Sequence, residues 1–482
     1  MNKQSQKPDI LIFLSDQHTP LYSKPWGGPA ETPNIQRLID TGFQFSQAYT
    51  SCPLCVPARM SMLSGLFPSE TGILTNNAAL PDMTPTFLHA LTAAGYETVL
   101  IGRMHFIGPD QRHGFTRRLC GDITPTTFVR PEEELKRERG IFAGAFDMPG
   151  SIDLSGAGTS PVLVYDHEIT KAALQYMRGS YEKPQCIVVG TYAPHFPYVA
   201  PPKLYEKYRG LVSLPPHFHT EETLIPPLSR RQKRVSQQAC LTALASYCGM
   251  TELMDRQLGA VYDQFLQFTG QRHTRRLFCY LSDHGDQVGD RDFYGKFTFF
   301  EKSSKIPLIL WGDGIPEGGS SSAPVSIMDI GPTLCEYTHT RPLLRQDGIS
   351  LLPYLMQKES KERVVFSEII EPYENHYTYG RMYRYKHYKY VTYNDYANFD
   401  MLYDLKADPT ESNNIAGEMP ELISFFHKQG AAYLKPASRI EEEQTAYEQA
   451  FILKTEYERQ TGASLDERRS IVLENNWIPP KP

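Results

Sequence analysis

A chain of 482 residues is longer than one small hydrophobic core can organise, so we expect one large domain and a smaller one. Its formal net charge of −6 and the lack of a long basic run argue against a nucleic-acid-binding protein. Eight cysteines in such a long chain do not form a disulfide framework, and they predict a cytoplasmic protein with mostly free, buried thiols.

Short apolar segments alternate with helical patterns through most of the chain. The run at residues 10–14 is too short for a secretory h-region (~7–15 apolar residues) or a membrane span (~18–20), so residues 10–15 predict a buried strand. Further strands are predicted at residues 97–101, 186–191, 277–282 and 306–311, and helices at 84–94 (capped by Thr84, with Pro85 first), 166–177, 236–268 and 327–337. The alternation predicts an α/β fold with a large, mostly parallel sheet sandwiched by helices.

The character of the sequence changes after about residue 355. The segments VVFSEII, YGRMYRYKHYKYVTY and MLYDL are rich in aromatic residues and separated by turn residues, which is typical of a small antiparallel sheet. Two helices are predicted after it, at residues 420–434 and 439–461. We therefore expect a catalytic domain over residues 1–357 and a C-terminal subdomain over residues 358–482.

Two of the predicted strands end in the same dipeptide, Ser-Asp. The first continues into Asp16 and Gln17, and the other, almost 270 residues later, continues into Asp283 and His284. Polar groups at the carboxyl ends of strands in an open α/β sheet face the binding crevice. Together these four side chains would suit a divalent cation. The alternative is that each aspartate only caps a following helix or turn.

The segment SCPLCVPARMSMLSG contains a C-x-x-C pair, which is typical of a redox dithiol or of half a zinc site. No second C-x-x-C completes a zinc site. Cys55, unlike Cys52, is followed by Pro57 and good helix formers, so we expect it at a helix N-terminus, where a thiol pKa is lowered. Arg59 would face the same site one turn later. The redox interpretation of the pair remains open at this point.

Further cationic side chains follow the predicted strand ends. Arg103 and His105 come after one strand, His195 after another, and Lys296 follows the region of Asp283. A lone histidine is more often structural than catalytic. As a set, however, these residues would surround a metal with positive charge, as a tetrahedral anionic substrate requires.

The pattern Cys-x-Pro-x-Arg followed by Leu-x-Gly, here Cys55 to Arg59 and Leu63 to Gly65, resembles the signature of type I sulfatases of the alkaline phosphatase superfamily. The resemblance continues in order through most of the chain. Its other blocks are LSDQ, TPNIQRLIDTGFQFSQAY, GRMHFIGPDQRHGF, APHFPY, SDHGDQVGD, YGKFTFFEKSSKIPLIL and LYDLKADPTESNN. It implies an alkaline phosphatase-like fold.

The resemblance also implies a mechanism. Cys55 would be oxidised to Cα-formylglycine, whose hydrate attacks sulfur while Arg59 holds it. His195 or Lys296 would protonate the leaving oxygen, and His105 would act as the base that releases sulfate. One divalent metal would be bound by Asp16, Gln17, Cys55, Asp283 and His284. Calcium is favoured, and manganese is the rival because His284 is a softer ligand than calcium prefers.

Within the family, the pattern is similar to that of choline sulfatases, which would place Asn77 beside the sulfate. Arg103 stands where lysine is usual, and it would orient an oxyanion without donating a proton. Arg130 lies where those enzymes present tryptophan, and a cation there would repel choline. The sequence therefore favours a small anionic or neutral sulfated substrate, such as a sugar.

Maturation would require a partner, either a formylglycine-generating enzyme or an anaerobic maturation enzyme. A homo-oligomer is also open, because the tail at residues 462–482 could dock on a neighbouring subunit or pack on its own chain. Three rival functions remain. They are a phosphonate monoester or phosphodiester hydrolase on the same fold, a binding protein whose Cys55 is never modified, and a thiol redox protein that uses both Cys52 and Cys55.

Overall fold

The computed structural model describes residues 7–124, 151–220, 222, 224–356, 362–374 and 376–461. Its strands are β1 (Asp9–Asp16), β2 (Phe43–Phe45), β3 (Ala48–Tyr49), β4 (Glu97–Gly102), β5 (Arg117–Leu119), β6 (Ser155–Ala157), β7 (Gln185–Pro194), β8 (Tyr198–Ala200), β9 (Arg276–Ser282), β10 (Lys305–Ile306), β11 (Leu308–Gly312), β12 (Gly319–Ser321), β13 (Val325–Ser326), β14 (Val365–Tyr373), β15 (His376–Tyr385), β16 (Tyr388–Tyr393) and β17 (Met401–Asp404).

Helices connect these strands and cover them. They are α1 (Pro33–Thr41), α2 (Cys55–Ser64), α3 (Pro68–Thr71), α4 (Phe87–Ala93), α5 (Pro161–Tyr176), α6 (Pro202–Arg209), α7 (Pro226–Ser229), α8 (Gln237–Arg272), α9 (Glu301–Ser304), α10 (Ile330–Tyr337), α11 (Leu352–Leu355), α12 (Pro420–Tyr433) and α13 (Ala437–Thr461). Within the described ranges, no helix combines the length and the apolar character that crossing a bilayer would require.

The central sheet has eight strands in the order β12-β2-β11-β9-β1-β7-β4-β5. Strand β1 lies between β7 and β9 and pairs in parallel with both, and β4 and β5 extend the parallel part. Strand β11 runs antiparallel to both of its neighbours, β9 and β2. The predicted large, mixed and mostly parallel sheet is therefore confirmed.

Both faces of the sheet are buried, as a parallel sheet requires. Along β1, Ile10, Ile12 and Leu14 point into one apolar cluster, which includes residues of helices α2, α4 and α10. Leu11 and Phe13 point into a second cluster on the opposite face, which includes residues of helices α5 and α8. This alternation explains why a strand with an uninterrupted apolar sequence lies in the middle of the sheet.

The C-terminal part forms the predicted antiparallel sheet, a meander in the order β14-β15-β16-β17. Helices α12 and α13 follow it. Phe366 and Tyr383 of this sheet belong to the same apolar cluster as Ile10 of the central sheet. Buried Lys389 of β16 also pairs with Glu301 of α9, at 3.1 Å. The two parts are therefore packed together, and the boundary at residue 357, which lies outside the described residues, stays a prediction.

Several predicted element boundaries differ from the observed ones, and two of the differences have a clear local cause. Helix α4 is capped by Thr86, whose backbone N–H donates to His89 Nδ1 at 3.1 Å, so Thr84 and Pro85 precede the helix. The local capping pair outweighs the preference of proline for the first helical turn. The predicted strand 306–311 is split at Pro307, which has no N–H to donate. Strand β10 pairs with β3, and β11 pairs with β9.

One glycine lets the ends of β4 and β7 approach closely. A Cβ at Gly190 would lie 1.9 Å from the carbonyl oxygen of Arg103. We expect Gly190→Ala to displace that strand end and to lower the free energy of unfolding by roughly 1–3 kcal/mol, the usual cost of overpacking. Differential scanning calorimetry would show a lower Tm. Gly210→Ala is the matched control, because nothing lies within 4 Å of its Cβ. Equal Tm values for the two variants would contradict this account.

Candidate active site

Four strand ends converge at one edge of the central sheet. Strand β1 ends at Asp16, and β9 ends directly before Asp283. Strands β7 and β4 end directly before His195 and Arg103. Because these four strands are parallel, their carboxyl ends open into the same crevice. The sheet therefore brings together side chains that lie far apart in the sequence.

Helix α2 adds Cys55 to this edge. The helix begins at Cys55, as predicted, and all of its residues are buried. Asn76 Oδ1 accepts a hydrogen bond of 2.9 Å from the Val56 N–H, one of the free amides of the first turn. The positive end of the helix dipole lies at the Cys55 side chain, where it favours negative charge.

The two cysteines of the C-x-x-C pair have different surroundings. Cys55 Sγ lies 2.9 Å from Lys296 Nζ and 3.2 Å from His284 Nε2. Burial opposes ionisation of Cys55, but chiefly the charge of Lys296 lowers its pKa well below the usual value. Burial and the charge of Glu368 instead raise the pKa of Cys52. All eight cysteines are free, so no disulfide joins the pair.

Asp16, Cys55, Asp283 and His284 form a buried cluster whose donor atoms all lie within 4.8 Å of one another. The Nδ1 atom of His284 lies 3.0 Å from the Gly285 carbonyl oxygen, which can only accept. Nδ1 therefore carries the proton in neutral His284, and Nε2 presents a lone pair to the cluster. Two carboxylates, one imidazole nitrogen and an atom of residue 55 fit a divalent cation.

Gln17 borders the cluster. Its Nε2 donates to Asp286 Oδ2 at 2.5 Å, and its Oε1 accepts from Lys296 Nζ at 2.9 Å. Its backbone N–H donates to Asp283 Oδ1 at 3.0 Å. These contacts fix Gln17 between the carboxylates and Lys296, and its role as a metal ligand stays a prediction.

Two arginines neutralise the buried carboxylates. Arg59 donates to Asp283 Oδ2 at 2.8 Å and to Asp16 Oδ2 at 3.0 Å. Arg103 Nε donates to the same oxygen of Asp16 at 2.5 Å. Burial and the charge of Cys55 raise the pKa of Asp16, yet the charges of Arg103 and Arg59 outweigh them and lower that pKa to about 2. Asp16 is therefore ionised at neutral pH, and its Oδ1 faces Cys55 Sγ at 3.7 Å.

His195 and Lys296 form a second pair beside Cys55. Lys296 Nζ lies 2.9 Å from His195 Nε2, and His195 Nδ1 lies 2.7 Å from the Phe196 carbonyl oxygen. Because an ammonium and a carbonyl have fixed roles, Nδ1 of His195 is protonated and Nε2 accepts. Burial and the charge of Lys296 lower the pKa of His195, so the ring is neutral at pH 7.

The structure brings most of the predicted site residues together. The set comprises Asp16, Gln17, Cys55, Arg59, Arg103, His105, His195, Asp283, His284 and Lys296. Asn77 is exposed, and its carbonyl oxygen accepts from Tyr447 of α13. Arg130 lies outside the described residues. Two further residues that contact the site, Asn76 and Asp122, were not predicted from the sequence. Each lies in a segment that resembles choline sulfatases, NNAALP for Asn76 and GDITPTTF for Asp122.

Comparisons with known proteins show the family to which the chain belongs. The sulfatase family profile matches residues 8–340, and a profile described as N-sulphoglucosamine sulphohydrolase, C-terminal, matches residues 289–429. The chain belongs to the sulfatase family. Choline-sulfatase of Rhizobium meliloti is 32% identical over 443 residues, which cover 85% of this chain and 82% of that protein. Arylsulfatase K of Danio rerio is 27% identical over 452 residues, covering 88% and 83%.

Solved structures support the fold. The phosphonate monoester hydrolase of Agrobacterium radiobacter superposes with a TM-score of 0.72 at 20% identity, covering 89% of this chain and 95% of that chain. Family membership identifies the protein as a sulfatase, an enzyme of sulfate ester hydrolysis, with the predicted alkaline phosphatase-like architecture.

The side chains of the buried cluster predict how the preference between Ca²⁺ and Mn²⁺ would respond to a mutation. His284→Asn replaces an imidazole with an amide oxygen, a harder ligand. We expect the ratio of Ca²⁺ to Mn²⁺ affinity to rise roughly tenfold or more, because each metal favours its preferred donor. Isothermal titration calorimetry of metal-stripped protein would measure both Kd values. His339→Asn is the control, since His339 is exposed and its φ of +53° suits asparagine. An unchanged ratio would remove His284 from the ligand set.

Proposed function

We propose that the protein hydrolyses a small sulfate monoester to an alcohol and inorganic sulfate, using Cα-formylglycine made from Cys55 and one divalent metal ion. The observation that carries the proposal is the position of Cys55. It lies at a helix N-terminus, is 1% exposed, and contacts both Lys296 and the carboxylate cluster. Calcium is the favoured metal, and manganese is the rival because His284 belongs to the cluster.

The hydrate at position 55 would supply the hydroxyl that attacks sulfur, and the cation, held by Asp16, Asp283 and His284, would lower the pKa of that hydroxyl. The protein's own residues prepare this position. Arg59 fixes both carboxylates, through hydrogen bonds of 2.8 and 3.0 Å, so that the opposite oxygen of Asp16 faces residue 55. Burial of the cluster keeps water out and strengthens each electrostatic contact.

Lys296 is the acid that the geometry supports. Its ammonium has only donors, and one of them points at Cys55 Sγ at 2.9 Å. The other acid candidate, His195, uses its single proton on the Phe196 carbonyl and presents only a lone pair at Nε2. Lys296 Nζ is therefore the atom that would donate a proton to the leaving oxygen. His195 would orient Lys296 by accepting from it.

The substrate would be a small sulfate ester, and a sulfated sugar or another neutral or anionic alcohol suits the cationic side chains of the site. Asn77, Arg103 and Arg130 are the proposed substrate contacts. In the structure, the donors of Arg103 are directed to Asp16, Asp122 and His105. Arg103 would therefore act on the substrate mainly through its charge.

The biological setting follows from the chemistry of Cys55. A formylglycine-generating or anaerobic maturation enzyme would be the obligatory partner. We propose that the enzyme works in the cytoplasm, because all eight cysteines are free and buried, as expected in a reducing compartment. We also propose that the protein forms a homo-oligomer. Residues 1–357 would form the catalytic domain and residues 358–482 the C-terminal subdomain.

The proposed conversion of Cys55 to formylglycine predicts a specific change in peptide mass. A formylglycine peptide should be about 18 Da lighter than the cysteine form, by the chemistry of the oxidation. We expect peptide mass spectrometry of protein co-expressed with a maturation enzyme to find this difference at residue 55. Cys55→Ala should lose activity, whereas Cys52→Ala, the matched control, should retain it. An unmodified Cys55 in a protein without sulfatase activity would support the binding-protein rival instead. Loss of activity in Cys52→Ala would support the redox rival.

A phosphonate monoester hydrolase is the second candidate, because a metal, a buried nucleophile and surrounding cations suit a tetrahedral phosphonate as well. The solved structure of such an enzyme shares this fold. We expect kcat/KM for 4-nitrophenyl sulfate to exceed that for an aryl phenylphosphonate, measured with Ca²⁺ and with Mn²⁺. A clear preference for the phosphonate with both metals would overturn the sulfate assignment and leave the fold assignment intact.

A further inference from the structure

Strand β7 loses its regular pairing with β1 near its carboxyl end. Leu14 of β1 lies opposite Gly190 of β7, but Asp16 lies opposite Pro194, so two steps along β1 correspond to four steps along β7. Residues 191–193 therefore contain a bulge, directly before the site. A bulge interrupts the hydrogen bonds of a sheet and redirects the side chains of the bulged strand.

Asp166 of helix α5 accepts hydrogen bonds from the backbone of this bulge. Its Oδ1 accepts from the Tyr192 N–H at 2.7 Å, and its Oδ2 accepts from the Ala193 N–H at 2.7 Å. The Asp166 side chain is fully buried. A buried carboxylate costs free energy unless it is hydrogen-bonded, and here each oxygen has its bond from the bulge. Asp166 is therefore tied to the shape of the end of β7.

The bulge brings the Tyr192 ring into contact with two residues of the site. The guanidinium of Arg103 lies 4.2 Å from the centre of this ring, which is a cation–π contact. The His195 ring meets the Tyr192 ring edge-on, with ring centroids 4.8 Å apart and planes at 75°. The His195 backbone N–H also donates to the Tyr192 carbonyl oxygen at 3.0 Å. Because Tyr192 is fully buried, its ring cannot turn away without displacing these neighbours.

His195 in turn contacts Lys296. The Nε2 atom of His195 accepts from Lys296 Nζ at 2.9 Å, and its Nδ1 bonds to the Phe196 carbonyl oxygen at 2.7 Å. The same Lys296 ammonium lies 2.9 Å from Cys55 Sγ. A shift of the His195 ring would therefore remove one of the contacts that hold the ammonium beside residue 55.

We propose that Asp166 positions the acid, Lys296, by fixing the bulge of β7 that carries Tyr192. The proposal rests on the proposed function, in which Lys296 protonates the leaving oxygen. Asp166 is a positioning residue, because it acts on the reaction only through the end of β7. Tyr192 is a second positioning residue, since its ring packs on both Arg103 and His195.

Two sulfate esters with different leaving groups test this role. Phenyl sulfate has the poorer leaving group, so its hydrolysis should depend on the acid more than that of 4-nitrophenyl sulfate does. Asp166→Asn keeps one acceptor oxygen and turns an N–H₂ donor toward the other backbone N–H. We expect kcat/KM to fall roughly tenfold more for phenyl sulfate than for 4-nitrophenyl sulfate, a part of the roughly 100- to 10,000-fold that general acid catalysis supplies.

The conditions and the control follow from the two buried aspartates of this kind. The assay is run well above pH 7, so that Asp166 is ionised, because burial raises its pKa to about 7. Asp255→Asn is the matched control. Asp255 is equally buried and accepts the backbone N–H groups of Asn34 and Ile35, but these begin helix α1, which supplies none of the site residues.

The ratio of the two kcat/KM values distinguishes positioning from stability. Whatever its effect on Tm, Asp255→Asn should keep the wild-type ratio. All variants are compared at the same extent of modification of residue 55, measured by mass. If Asp166→Asn also kept the wild-type ratio, with both esters slowed equally or not at all, Asp166 would be only structural.

Substitutions of Tyr192 test the same link and leave the buried carboxylate in place. Tyr192→Phe keeps the aromatic ring, and Tyr192→Leu removes it. We expect Tyr192→Leu to slow phenyl sulfate more than 4-nitrophenyl sulfate, because His195 loses the ring that it packs on. Tyr192→Phe should keep the wild-type ratio. The same ratio in both variants would contradict the role of the ring.

Two further measurements distinguish a failure of this proposal from a failure of the proposed function. Lys296→Ala should also slow phenyl sulfate more than 4-nitrophenyl sulfate, and an unchanged ratio would show that Lys296 is not the acid. A crystal structure of Asp166→Asn needs no substrate. We expect the distance from His195 Nε2 to Lys296 Nζ to exceed about 3.5 Å, beyond a hydrogen bond. An unchanged arrangement of these two side chains would overturn the positioning role even if the sulfate assignment holds.

Discussion

The active site depends on one buried guanidinium group between two buried carboxylates. The side chains of Arg59, Asp16 and Asp283 are all fully buried. A single charge of this kind would cost several kcal/mol to remove from water unless it were paired and hydrogen-bonded. Asp16 at the end of β1 and Asp283 directly after β9 can therefore lie inside the protein because Arg59 of helix α2 pairs with both, and Arg103 also pairs with Asp16. The same ion pairs fix Cys55, one turn earlier on that helix, beside the carboxylates.

The C-terminal sheet supports the other side of the site. Phe297, which follows Lys296, packs on the apolar cluster that contains Val365 and Ile369 of β14. The guanidinium of Arg231 covers the Phe297 ring at 4.1 Å and also pairs with Glu371 of β14. The position of the Lys296 ammonium is therefore linked to packing against β14. The sequence pattern changes near residue 357, but residues after this boundary help to hold Lys296 in the active site.

Most of the fold and of the candidate site could be predicted because they follow from strong local patterns in the sequence. Apolar runs that end in Ser-Asp predicted both the central strands and the convergence of Asp16 and Asp283. The helix cap at Thr86 and the break at Pro307 were missed, because each depends on local bonding partners that periodicity does not reveal. The tautomer of His195 also could not be predicted, because it is set by a three-dimensional contact with the Phe196 carbonyl oxygen.

The order of the elements along the chain has a consequence for biosynthesis. Cys55 is enclosed by a sheet edge that includes β9, and β9 begins about 220 residues later in the chain. At a synthesis rate of ~5–20 residues per second, roughly 10–45 s pass between the appearance of Cys55 and that of β9. During this interval the nascent chain lacks the strand that pairs with β1 on that side. The conversion proposed for Cys55 would therefore have to precede the pairing of β9 with β1, because residue 55 is buried in the folded chain.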